Sequence, residues 1–168
     1  MLQNFWDCTY RFIVRNPQGN VVDHWALKNA LVNDGAEVAI ETFLRNNASV
    51  YMPDGNFYIG LYLGAMSRTT TIITIPSEAS GNGYVRQLLP RSATGWPTKE
   101  KDTDGFWNIT SQVVQFDALG GDIGPFNGAF LATSSDSSGR LISYVTDQFR
   151  RTIVDGSSIT IALSVRYR

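Results

Sequence analysis

The chain is poor in the residues that carry most enzyme chemistry. It holds one histidine, His24, and one cysteine, Cys8. A single thiol excludes an intrachain disulfide. One His and one Cys cannot build a zinc site without recruiting two carboxylates. Cys-x-x-Cys, His-Glu-x-x-His and Gly-x-Ser-x-Gly do not occur, so any catalytic triad would have to use His24. That residue sits beside Trp25 on an expected strand, where a structural imidazole is the simpler expectation. Cys8 borders an apolar strand and reads as a buried, inert thiol. Charge is also scarce. Charged residues make up 17% and the net charge is −1, so no strong field steers the protein toward nucleic acid or lipid. No apolar run approaches the 18 or so residues of a membrane span. Residues 1–7 lack the basic stretch and apolar run of a secretory leader. No internal repeat or heptad pattern is visible. These absences lead us to expect a protein that is not an enzyme and has no cofactor, metal, nucleic-acid or membrane partner.

What is present suits a single folded domain over residues 1–168. A chain of this length buries roughly 70% of its unfolded surface, and 43% apolar residues with twenty aromatics supply a core. Eleven of the fourteen basic residues are Arg. The planar guanidinium fork suits interfaces, although a GC-rich genome would give the same bias.

Most of the chain reads as strand. Thr9–Arg15 and Val21–Leu27 flank the turn Asn16-Pro17-Gln18-Gly19-Asn20 as a hairpin. Further strands are expected at 57–63, 70–75, 84–89, 108–116, 128–133 and 140–145. The last strand has the clearest pattern: Ile159, Ile161, Leu163, Val165 and Tyr167 alternate with polar or small residues, as in a half-buried antiparallel strand. One short amphipathic helix is expected at about residues 34–46. Ala36, Ala39, Ile40, Phe43 and Leu44 would form its buried face, and Asp34 with Glu37 a capping box. Residues 92–105 and 118–125 read as long loops. The fold class is therefore mostly β, an antiparallel β-sandwich or barrel-like domain.

Several segments invite a chemical reading. Asp102-Thr103-Asp104-Gly105 resembles the start of a calcium loop but lacks the distal Glu. Asp117, Asp122, Asp136 and Asp147 could in principle pair as glycosidase carboxylates, yet each sits where turn chemistry explains it. Gly81-Asn82-Gly83 precedes a strand rather than a helix, so it reads as a tight turn and not a phosphate loop. Arg150-Arg151 beside Phe149 is too small a basic patch for nucleic acid.

Taken in order, several phrases resemble small structural proteins of tailed-bacteriophage particles, of the tail-fibre-like, minor tail or head-decoration type. They are Asn29-Ala30-Leu31-Val32-Asn33-Asp34-Gly35, then Tyr58-Ile59-Gly60-Leu61, then Glu78-Ala79-Ser80-Gly81-Asn82-Gly83-Tyr84-Val85-Arg86. The resemblance runs from about Tyr10 to Val165. It implies a non-enzymatic virion subunit, assembled in the host cytoplasm. Its partners would be major capsid or tail subunits, and it would form a homo-oligomer such as a trimer. The lack of a repetitive shaft favours a capsid decoration (cement) or head/tail accessory role. The alternative is a tail-fibre or baseplate module that reads a receptor or carbohydrate, with Trp96, Trp107 or Tyr62 as stacking platforms. The candidate interface residues are Phe5 and Trp6, on an N-terminal anchoring arm of residues 1–7, with Tyr84, Arg86, Trp96, Arg150 and Arg151.

Overall fold

The computed structural model describes residues 7–167. In chain order these form β1 (Asp7–Arg15), β2 (Val21–Lys28), β3 (Ala30–Leu31), α1 (Asn33–Phe43), α2 (Ala48–Tyr51) and β4 (Phe57–Tyr62). A 3-10 turn at Ile72–Thr74 comes next, then β5 (Gln87–Leu89), β6 (Thr98–Lys101), β7 (Trp107–Thr110) and β8 (Val114–Asp117). The chain finishes with β9 (Ile123–Ala132), β10 (Leu141–Ile153) and β11 (Ser158–Tyr167).

The strands make two antiparallel sheets. The first runs β2-β1-β11-β7-β6, with β8 pairing a second stretch of β11. The second runs β3-β10-β9-β4-β5. Among the described residues both keep open edges, so the fold is a sandwich and not a closed barrel. Alternation along β1 and β11 turns Cys8, Tyr10, Phe12, Ile159, Ile161, Leu163 and Val165 inward. They share one core with Ile59, Leu61, Ala129, Leu131 and Val145 of the second sheet. Fully burying one of the Val, Leu, Ile or Phe side chains among them stabilises the fold by about 1.5–3 kcal/mol. The Tyr10 hydroxyl and Ser143 Oγ, 2.9 Å apart, share a hydrogen bond between the sheets.

The second sheet is covered on its other face too. Val32, Tyr62, Phe130, Ala132 and Leu141 form a second core beneath Ile72. This is why β4 and β9 read as nearly continuous apolar runs. The cover is the segment expected to be a strand at 70–75. Its β-branched residues suggested a ladder, but Thr71 and Thr74 bond each other's backbone as a capping box. One turn earlier the Ser67 amide donates to the Thr70 hydroxyl at 2.9 Å. Local side-chain bonds of this kind compete with strand pairing, and a 3-10 turn results.

Three other expectations are corrected. The strand expected at 108–116 is broken at Ser111–Val113, where the Ser111 hydroxyl accepts the Leu163 amide at 2.9 Å. The expected loop at 92–105 contains β6, which pairs with β7. The strand expected at 84–89 begins only at Gln87, because the Tyr84 and Arg86 side chains turn inward as described below.

The helix lies where expected, but on another face. Its buried residues are Gly35, Val38 and Glu41, whereas Phe43 is 71% and Leu44 80% exposed. Gly35 decides the orientation. A Cβ there would collide with the carbonyl oxygen of Ile142, so only glycine lets the helix backbone lie on β10. The capping box is absent as well. Val32 occupies the N-cap position without a side-chain cap, and Asp34 lies in the first turn, where its charge still suits the helix dipole. Glu37 instead accepts a hydrogen bond from Tyr51 of α2 at 3.1 Å.

Candidate functional site

The first sheet reaches further than its partner at one end, and its inner face there is left partly open. Cys8, Val165 and Ile109 lie side by side across β1, β11 and β7. Paired residues share a face, so Ile109 and Val165 form the floor of a groove. Val38, Ala39, Thr42 and Phe43 of α1 make one wall, and Trp96 with Phe57 and Met52 the other. The groove encloses about 550 Å³, within the range of ligand and peptide sites. Trp96 is half-buried and meets Phe57 edge-on, with ring centres 6.2 Å apart. The main polar group at the opening is Arg91, whose guanidinium lies 3.3 Å from Met52 Sδ.

Beyond Ile109 the same inner face continues onto β6. Lys99 lies opposite Ile109 and Lys101 opposite Trp107. Both ammonium groups sit over the Trp107 ring, at 5.1 and 5.3 Å from its centre, in cation–π geometry. Trp107 is 45% exposed. Next to the groove, Ile40, Phe43 and Leu44 of α1 and Val50 of α2 leave an apolar strip open to solvent.

The other candidate residues have different placements. Tyr84 and Arg86 face into the molecule. Arg86 forks onto Glu78, with Nε and Nη2 each 2.7 Å from a carboxylate oxygen. Its Nη1 donates to the carbonyls of Ser134 and Asp136, and its plane lies over Phe130. The side chain is 6% exposed. Tyr84 stacks on Phe116 and donates to Glu78 at 3.0 Å. Its hydroxyl also accepts the Leu61 amide at 3.0 Å. Burial, with the Glu78 charge adding to it, pushes its ionisation far above the ordinary tyrosine value. The pair is thus an internal latch that fastens segment 63–86 to the sheet, not the expected interface. The shallow cleft beside it is lined by Ser80, Ser135 and Asp136. Its central carboxylate, Glu78, is already engaged by Arg86 and Tyr84.

Arg151 is likewise occupied. Its guanidinium lies 3.7 Å from the Trp25 ring centre and bridges Asp147 and Asp23, at 2.5 and 3.2 Å. Arg150, one residue earlier, is exposed. Phe5 and Trp6 lie outside the described residues. Of the stacking platforms, Tyr62 is fully buried under segment 63–86, which removes it from any sugar-binding surface.

Asp102 and Asp104 both bond Arg166, at 2.6 and 2.7 Å. Asp102 also receives the amides of Asp104 and Phe106 and the side chain of Asn108. Desolvation opposes ionisation there, but the Phe106 amide, Asn108 and Arg166 outweigh it and hold the carboxyl below its ordinary range. The Arg166 guanidinium closes the loop by bonding both carboxylates. Asp122 accepts the Asp155 amide, and Asp136 accepts from Ser138. Asp117 accepts from Gln115. Among the described residues no three His, Cys, Asp or Glu side chains are placed to hold a metal ion. His24 is exposed on the edge strand β2. Cys8 is buried, and desolvation raises its pKa far above that of a reactive thiol. Among the described residues no helix is long and apolar enough to cross a membrane.

No protein-family model matches the chain, and no curated protein matches it.

The groove residues Ile109, Val165, Arg91 and Lys99 were not singled out from sequence. Alternation marks Ile109 and Val165 as inward-facing, but nothing local says that the second sheet stops short of them. Phe43 was assigned to the helix's buried face, and it proves to be the groove's outer wall.

Proposed function

We propose that this chain is a structural subunit of a tailed-phage particle that works by binding neighbouring virion proteins. A capsid decoration or head/tail accessory role is the first choice. The observation that carries the reading is the apolar surface at the α1 end of the sandwich. Ile40, Phe43, Leu44 and Val50 are exposed beside a groove that is itself apolar. Contiguous exposed apolar surface of this kind marks contact with another macromolecule. The order of sequence phrases from Tyr10 to Val165 supplies the phage context. The internal commitment of Glu78, Arg86, Asp102 and Arg166 to ion pairs also favours a binding role over a chemical one.

Subunits of this type act in repeated copies, where many weak contacts sum through multivalency. We expect a homo-oligomer, with a trimer as the first candidate, to be checked by sedimentation of the purified protein. A glycan-reading tail module is less favoured, because Tyr62 is buried, Trp96 is half-buried against Phe57, and the exposed Trp107 ring is overlain by Lys99 and Lys101.

The test is a protein inventory of gradient-purified particles. A stoichiometric, repeated-copy presence supports the reading, and restoration of particle stability by adding the protein to particles that lack it supports cementing. Absence from purified particles overturns it.

A further inference from the structure

The groove is apolar on its floor and cationic at its rim. Ile109, Val165 and Trp96 offer mainly apolar surface to an occupant. Arg91 stands at the opening, and Lys99 and Lys101 project from the adjoining strand on the same face. Among the described residues none of the three is in an ion pair, although six such contacts are made elsewhere by Arg45, Arg86, Arg151 and Arg166. Three cations without a carboxylate partner around one apolar slot form a charge pattern that lacks its complement. Charge complementarity across an interface sets partner choice and register, while burial of an apolar anchor supplies the affinity.

We propose that the groove between α1 and β7/β11 is a docking slot for a short peptide segment of a neighbouring protein. The segment carries an aromatic or aliphatic side chain followed closely by carboxylates. The apolar side chain seats on Ile109 and Val165 against Trp96. The carboxylates meet Arg91, Lys99 and Lys101. This rests on the assembly reading above and names the chemistry of the partner. A slot of about 550 Å³ takes one or two large side chains rather than a folded domain, so the partner contributes an arm or tail. The lysines lie over Trp107, which holds them at the rim until an anion draws them off.

The test uses the full-length protein and two blocked pentapeptides. Each has two leucines and a phenylalanine, followed in one by two glutamates and in the other by two lysines. Binding is followed by amide and indole NMR shifts. The expected result is saturable shifts at Ile109, Val165 and the Trp96 indole with the acidic peptide. Binding of the basic peptide should be weaker by about tenfold or more, and added salt should weaken the acidic complex. Ala39→Trp, which fills the groove from its helical wall, should abolish the shifts. The double change Lys99→Glu, Lys101→Glu should reverse the charge preference, and its exposed positions leave the fold intact.

Equal binding of the two peptides, binding unaffected by Ala39→Trp, or no binding would overturn the proposal. So would binding that appears only after removal of residues 1–6, because the chain's own N-terminal segment would then be the natural occupant. The particle inventory is independent of all these outcomes. A protein present on particles with an inert groove refutes only the slot. A protein absent from particles with an active groove refutes only the virion assignment.

Discussion

Arg86 ties segment 63–86 to β9 and the loop after it through one guanidinium. Removing it leaves Glu78 without its cation in a largely desolvated site and frees the carbonyls of Ser134 and Asp136. Arg86→Ala should therefore destabilise the protein by about 3 kcal/mol, read as a lower urea midpoint. Arg86→Lys keeps the charge but not the fork, so it should recover only part of the loss. An unchanged midpoint would mean that the latch contributes nothing. Gly35 is the second such position. Gly35→Ala drives a methyl group into the Ile142 carbonyl and should cost about 1–3 kcal/mol as an overpacked contact. An exposed glycine with no close neighbour, Gly105 for instance, offers no comparable clash.

Asp102 predicts a pH dependence. Its carboxyl is held below the value of about 3.9 expected in the unfolded chain. A depressed folded pKa contributes stability above the unfolded pKa, and that contribution fades as pH falls through the folded one. Wild type should therefore melt higher than Asp102→Asn at neutral pH. The gap should narrow below about pH 4 and close at lower pH. A gap that persists unchanged into acid would contradict the ionic account of this loop.

At the scale of elements, β1, β2, β4 and β11 lie within a residue or two of their expected positions. In β1 and β11 one face is core and a slip would turn it outward, β2 follows from its hairpin pairing with β1, and β4, buried on both faces, reads as an apolar run. The failures have physical causes. Segment 70–75 has strand composition, but its Thr hydroxyls bond their own backbone. β10 continues from Val145 to Ile153 through an irregular register with β9, where Asp147-Gln148-Phe149-Arg150 reads as a loop. On α1 the apolar residues are spread widely enough to suggest two faces. The choice between them falls to Gly35, whose missing Cβ permits the closest approach, and not to hydrophobicity.

That choice carries a prediction for the element. Phe43 and Leu44 are exposed, so replacing both with Ser should change stability by only about 0.5 kcal/mol each. The same double variant should lose attachment to particles in a pull-down with purified particles. Attachment at wild-type strength would place the contact elsewhere on the molecule. A large loss of stability would show that both side chains are packed in solution.

For the whole molecule, the sandwich was readable as a class because turn residues punctuate short strands at regular spacing. Its arrangement was not, because the coverage of the second sheet by segment 63–86 and the overhang of the first sheet depend on long-range pairing. The candidate site shares that limit. Trp96 was singled out as a loop aromatic and lines the groove, but its partners Ile109, Val165 and Phe43 come from three separate elements. Tyr84, Arg86 and Arg151 have the residue types of an interface, yet the structure uses them to fasten its own segments.

The most direct test of the assembly account is cryo-electron microscopy of the purified particle at a resolution that traces side chains. The account predicts density for this sandwich in symmetrically repeated copies, with the α1 end and its groove against neighbouring virion subunits and the apolar strip at Phe43 and Leu44 covered. Particles on which no density fits the chain would contradict it.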